Sequence, residues 1–341
     1  MTALLAGHDA IELTAGRAGA AAPRVVIIPA LGGKIVSLML AGREWLWQSD
    51  VIPYPRPGAV VPHDASYVET ADSGGYDECF PTVGACALPR GVVRWGGLAL
   101  PDHGELWSQH ARVVPAEGVA GGSGLPREAA EATLAWRGRR LPYRFERTVV
   151  VRAPAEVEMR YAVTSESDAP IPFVWSSHPL FPLGPGTRVE LPEGARVRVY
   201  AQHGAALGGP LAEWRWPLVA GRDLRAPGSG GAYACKLFLD VREGRAALRE
   251  GGATLEARWD VAELPNVGLW LNHGGWTPFA DRAPYHNLAL EPCIGAPDSL
   301  ADALGAWKGA AWLAPGETRR WTLRWRAWRD DDAAPLEERG A

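Results

Sequence analysis

Apolar and polar positions alternate with a period of two in short runs along most of the chain. The clearest is residues 320–328. There Trp321, Leu323, Trp325 and Ala327 fall on one side, with Arg320, Thr322, Arg324 and Arg326 on the other. That is the pattern of an antiparallel strand with one buried face. Further strand-like runs lie at 24–28, 35–40, 147–151, 157–163, 196–200, 235–241, 254–259 and 267–272. Gly32 and Gly33, between the first two, predict a tight turn. A run at 173–178 is closed by Pro179, and 165–170, rich in Ser, Asp and Pro, reads as a turn. Helical periodicity is weak. One short helix is expected after Ser299, because Ser299 and Asp302 have capping-box spacing. The glycine-rich stretch 118–126 reads as a loop, and 204–231 as a long irregular connection.

Composition sharpens this picture. Gly (40) and Pro (29) are abundant among 341 residues, which favours many short strands joined by turns. With 47% hydrophobic residues the chain can bury a large core, and no linker divides it. The expected architecture is all-β: one large domain over residues 1–341, built as a sandwich of two antiparallel sheets. Its core runs from about residue 24 to 328, and residues 330–341 form a charged, frayed tail.

A net charge of −4 offers no basic footprint for nucleic acid. No apolar run has the length of a membrane span. Residues 1–7 lack the positive region of a cleaved signal peptide. Cys79, Cys86, Cys235 and Cys293 form no Cys-x-x-Cys pair and read as reduced thiols of a cytoplasmic protein. His63, His110, His203, His273 and His286 have no metal-ligand spacing, so neither metal nor cofactor is expected.

Three segments carry candidate chemistry: Leu100-Pro101-Asp102-His103-Gly104-Glu105, Trp175-Ser176-Ser177-His178-Pro179-Leu180-Phe181 and Leu288-Ala289-Leu290-Glu291-Pro292-Cys293. Each places an ionisable residue near a probable strand end, beside Pro or Gly. His178 and Glu291 precede prolines, which biases them to extended backbone. Alternation puts Leu288 and Leu290 on one face and Asn287, Ala289 and Glu291 on the other, facing either solvent or a cleft. Trp, present 16 times, offers flat apolar faces with a polar N–H, suited to covering sugar rings.

Taken in order, these segments resemble those of the aldose 1-epimerase (mutarotase) family, within the galactose mutarotase-like superfamily. The first resembles the family's His-Gly segment. His178-Pro179-Leu180-Phe181 resembles its His-Pro-x-Phe segment, and Glu291-Pro292 through Pro297-Asp298 its Glu-Pro-x-x-x-x-Pro-Asp segment. Weaker similarity covers Gly74-Gly75-Tyr76-Asp77-Glu78-Cys79-Phe80-Pro81-Thr82 and Leu264-Pro265-Asn266-Val267-Gly268-Leu269-Trp270. Galactose-specific members carry an Asn-Arg pair upstream of the first His; Asp77-Glu78 stand in that region here.

The resemblance implies a large antiparallel β-sandwich with an open cleft and interconversion of the α and β anomers of an aldose. It implies Glu291 as general base, His178 as general acid and His103 as a hydrogen-bonding partner near the reacting centre. No metal or organic cofactor is required. Asp77, Glu78, Lys236 and Trp270 are candidate sugar contacts, on their closeness to family-like segments. Two other functions suit a β-sandwich: a non-catalytic sugar-binding module, and a polysaccharide-cleaving enzyme in which Asp77 or Glu78 partners Glu291 across one bond.

Overall fold

The computed structural model describes residues 2–5, 7–17, 19, 22–115, 128–209 and 212–331. Two antiparallel sheets dominate. The larger has its centre in the order Lys34–Leu40, Tyr76–Cys79, Trp175–Pro182, His286–Ile294, Asn266–His273, Tyr233–Asp240 and Arg196–His203. The smaller runs from Arg188–Glu190 through Arg245–Glu250, Ala253–Trp259, Thr318–Arg329, Glu156–Ser165, Tyr143–Arg152 and Ala129–Arg137 to Arg112–Val114. Helix is confined to short pieces, of which Leu300–Leu304 is capped by Ser299 Oγ accepting from Asp302 N at 3.2 Å. Among the described residues no helix is long and apolar enough to cross a membrane.

The alternation read from the sequence sets which faces meet. Trp321, Leu323 and Trp325 are buried, as are Leu288, Leu290, Leu269, Leu271 and Leu237 of the larger sheet. All belong to one hydrophobic cluster that fills the space between the two sheets. Gly32 and Gly33 make the expected turn with φ of 67° and 72°, conformations open to glycine without a Cβ penalty.

Two expectations are corrected. The strand around His178 does not end at Pro179; it runs from Trp175 to Pro182, while Ile171–Phe173 pairs separately with Ala311–Leu313. Proline is tolerated because the ladder to His286–Ile294 is interrupted here: Ser176 pairs with Cys293 and Leu180 with Ala289, with no pairing recorded between. Pro179 and Pro292 both lie in that gap, where a missing N–H breaks no ladder bond. The 204–231 segment is also more ordered than its Gly and Pro content suggests. Glu213–Arg215, Leu218–Val219 and Arg222–Asp223 extend the larger sheet as short strands. The 118–126 loop and residues 332–341 of the expected tail lie outside the described residues. The four cysteines are unpaired.

Candidate active site

The site grows from strand register. Ser176 opposite Cys293 and Leu180 opposite Ala289 place His178 directly across from Glu291. Gly268 pairs with Glu291 on the other side, and Trp270, the partner of Lys236, pairs with Ala289. Because side chains alternate, His178, Glu291, Lys236 and Trp270 all stand on the face away from the sheet-to-sheet core. Gly268 gives the room: a Cβ there would lie 2.7 Å from Glu291 Oε2 and 3.4 Å from Lys236 Cε.

His178 Nδ1 donates to Glu291 Oε1 at 3.1 Å, leaving Nε2 as the ring nitrogen available to a ligand. Glu291 Oε2 accepts from Ser176 Oγ at 3.2 Å and from Lys236 Nζ. Lys236 Nζ also sits 3.3 Å from Asp298 Oδ1. Burial alone would raise the Glu291 carboxyl, but the Lys236 ammonium and His178 outweigh it and hold the acid down to about 2. Burial would lower Lys236, yet Asp298 and Glu291 push it up, so it stays charged. Asp298 moves the other way from Glu291: burial raises it above its ordinary value, against the pull of Lys236.

His103 enters from a loop. It has φ of 56°, a left-handed conformation that His adopts more readily than most side chains, and is followed by Gly104 at 74°. Asp102 Oδ1 lies 2.8 Å from His103 Nδ1, and Asp102 Oδ2 accepts from Tyr67 N at 2.9 Å. Tyr67 stacks on the His103 ring at 4.1 Å, and the two histidine rings meet edge to face at 5.0 Å. Burial pulls His103 down, and Asp102 more than restores it, so its net shift is upward.

Part of this cluster lines a cleft of about 260 Å³, with Glu291 buried behind His178 and Lys236. His103, His178, Lys236 and Asp298 supply its polar end. Trp270, Trp276, Tyr200 and Tyr285 supply aromatic walls, with Trp270 and Trp276 edge to face at 5.7 Å. Trp270 Nε1 donates to Asn287 Oδ1, which fixes the indole. A volume of this size with one polar end and aromatic sides suits a small polar molecule with C–H faces.

The structure thus brings His178, Glu291, His103, Lys236 and Trp270 together. It does not bring the other two candidates into the cleft. Glu78 lies on the opposite face of its strand, where Arg147, Tyr161 and Trp175 donate to its carboxylate within the core. Asp77 shares a face with His178 but is buried 2% exposed beneath Tyr67, holding Lys34 Nζ and Tyr67 OH. Residue type and nearness in sequence could not separate these faces. Asp72, Tyr67, Tyr200, Trp276, Tyr285 and Asn287 were missed. Asp72 lines the cleft with a buried Oδ1 that has no hydrogen-bond partner, yet Ala71-Asp72-Ser73-Gly74 reads in sequence as an ordinary turn. From the segment after Asp77-Glu78, Val83 and Gly84 form the wall.

Comparison with solved structures defines the class. The chain superposes on the galactose mutarotase-like protein of Clostridium acetobutylicum with a TM-score of 0.62 at 13% identity, covering 96% of this chain and 98% of that one. It superposes on the galactose mutarotase related enzyme of Lactobacillus acidophilus with a TM-score of 0.59 at 16% identity, covering 96% and 100%. The Slr1438 protein of Synechocystis sp. PCC 6803 gives 0.66 at 16% identity, covering 94% and 96%. The fold is therefore that of the galactose mutarotase-like proteins. No protein-family model and no curated protein matches the sequence.

Proposed function

We propose that this protein binds a free aldose in the cleft and interconverts its α and β anomers. The observation that carries the reading is the His178–Glu291 pair, set by register at the polar end of an aromatic-walled cleft of monosaccharide size. Anomer exchange needs a proton acceptor for the C1 hydroxyl and a proton donor for the ring oxygen. When both act, the ring opens to the aldehyde, the C1–C2 bond rotates, and reverse transfers close the ring on the other face. His178, with Nδ1 held by Glu291 and Nε2 free, is the donor. Glu291 is the acceptor that the family resemblance implies. His103, held by Asp102 and Tyr67, binds a sugar oxygen beside the reacting carbon. Lys236 and Trp270 supply a cationic donor and an apolar ring face. No step calls for a metal or an organic cofactor.

A polysaccharide-cleaving reaction is disfavoured by the positions of Asp77 and Glu78, neither of which reaches the cleft to flank a bond with Glu291. A survey by NMR exchange over common free aldoses, corrected for spontaneous mutarotation, tests the reading. Catalysed exchange without bond cleavage supports it. Tight binding with no exchange would make the protein a sugar-binding module instead.

A further inference from the structure

Asp72 and Asp298 both line the cleft, and they are held differently. Asp298 has Lys236 Nζ 3.3 Å from its Oδ1. Asp72 has no ion pair, and neither of its oxygens accepts a hydrogen bond among the described residues. The residue is 6% exposed, so it has lost most of its water as well. The buried ammonium of Lys34 is occupied elsewhere, by Asp77, Tyr67 OH, Ala71 O and Gly74 O. A carboxylate kept from water without donors costs stability. An orphan of this kind on a cleft wall is accounted for by a ligand that supplies the missing donors.

The backbone fixes its place. Asp72 N donates to Tyr67 O at 3.0 Å, at the end of the short helix Tyr67–Thr70 whose Tyr67 stacks on His103. Gly74 and Gly75 follow, with φ of 80° and 86°. A Cβ on Gly74 would lie 2.2 Å from Trp47 O, so the turn after Asp72 requires glycine. Gly75 O then accepts from Leu180 N at 2.9 Å, which ties the turn to the strand of His178. The chain runs on into Tyr76–Cys79, which flanks that strand on the side away from Glu291 and Lys236. With C1 at the His178–Glu291 pair, a sugar turns another edge, away from the reacting carbon, to Asp72.

We propose that Asp72 selects the substrate: it accepts hydrogen bonds from adjacent hydroxyls on the sugar edge away from C1, and it turns away aldoses that carry a negative group. The proposal rests on the anomer-exchange reading and names the substrate class within it, uncharged aldoses with free hydroxyls at that edge. An ionised carboxylate has two oxygens and only accepts, so two neighbouring O–H donors match it. A phosphate on the sugar would meet like charge where little water screens it. Burial, and after it Asp77, favours the neutral form of Asp72; Lys34, His178 and His103 favour the charged one. Tyr67 and Tyr285 also feel its charge. Above neutral pH the charged form is the one to test.

The test measures kcat and KM for anomer exchange above neutral pH in the wild type, Asp72→Ala and Asp72→Asn, each with a thermal melt. The substrates are the aldose that the survey ranks best, its monodeoxy analogues at the carbons beyond C1, and its 6-phosphate. The wild type should lose about 10- to 100-fold in kcat/KM on at least one deoxy analogue, since a hydrogen bond to a charged group is removed. Asp72→Ala should raise KM for the parent sugar by a similar factor, change kcat by less, and be nearly indifferent to that same deoxygenation. Asp72→Asn should narrow the preference for the free sugar over its 6-phosphate by about tenfold or more. Both variants should melt at or above the wild-type temperature, because each removes a buried carboxylate that has no partner. Three results would overturn the assignment: equal deoxy penalties in the wild type and Asp72→Ala, an unchanged phosphate ratio in Asp72→Asn, or a lower melting temperature with unchanged KM. A wild type inert on every aldose would instead remove the functional reading on which the assignment stands.

Discussion

His178 and His103 meet edge to face, each with one ring nitrogen held by a carboxylate, yet they are held differently. His178 belongs to a strand and shares its partner with Lys236; His103 sits on a loop turn and shares its partner with a backbone N–H. The group that gives the ring oxygen its proton owns the alkaline limb of the rate profile, because activity falls as that group loses its proton. His178→Asn can accept or donate a hydrogen bond but cannot deliver a proton. Its kcat/KM should drop by about 10²–10⁴ and lose the alkaline limb. His103→Asn should be slower while keeping that limb. The opposite pattern in the two profiles would exchange their roles. Substrate charge is also decided residue by residue. Among the described residues no Arg lines the cleft, and its Lys236 is already shared by two carboxylates. Phosphate recognition usually recruits Arg forks or helix N-termini. One aldose should therefore show a higher kcat/KM than its 6-phosphate, and a reversed ratio would count against the cleft as described.

At the scale of elements, the pair of strands Trp175–Pro182 and His286–Ile294 carries the design. Their ladder is interrupted opposite Pro179 and Pro292, and there the two key side chains face each other. The next strand, Asn266–His273, presents Gly268 to Glu291. Gly268→Ala would put a methyl 2.7 Å from Glu291 Oε2 and 3.3 Å from its Cβ. The backbone there needs no left-handed conformation, so the effect is one of space alone. Overpacking of this kind costs about 1–3 kcal/mol. The variant should melt at a lower temperature and lose at least about tenfold in kcat, since the carboxylate holding His178 is displaced and a displacement of about 1 Å can cost about 10² in rate. Unchanged turnover with a normal melt would show that Glu291 has more freedom than its contacts suggest.

At the scale of the molecule, the space between the sheets contains a charged group as well as apolar ones. Glu78 and Arg147 are 2% and 0% exposed there, with Tyr161 and Trp175 completing the acceptor's hydrogen bonds. Burial pushes the Glu78 carboxyl up to about 7 against the pull of Arg147, Tyr161 and Trp175. The folded chain therefore holds this proton where the unfolded chain, with a Glu near about 4.3, releases it. Its contribution to stability is complete below about 4.3 and is lost as pH rises through about 7. Glu78→Gln should remove that part of the pH dependence, seen in denaturant midpoints at pH 4.5 and 8, and should leave sugar affinity unchanged. A loss of affinity with a wild-type pH dependence would return Glu78 to the cleft.

Much of this protein was legible from its residues alone. Period-two alternation identified many strands of both sheets but missed others, among them His8–Thr14, Ala129–Arg137 and Arg245–Glu250, and Leu288 and Leu290 against Ala289 and Glu291 showed which face of one central strand turns from the core. Three short motifs located His103, His178 and Glu291. Those signals are local: each depends on a side chain and its neighbours within a few positions. Register between strands is not local, and it decided the rest. Only pairing across the sheet put Glu291 opposite His178, Lys236 beside Trp270 and Gly268 beneath the carboxylate. Asp77 and Glu78, adjacent in sequence, were sent to opposite faces, and neither lines the cleft. Burial is likewise a property of the assembled sheets. It closes off Glu291, leaves the Asp298 side chain 16% exposed at the cleft wall, and moves the two carboxyls apart in acidity, because desolvation and the Lys236 ammonium act only once the strands have brought these groups together.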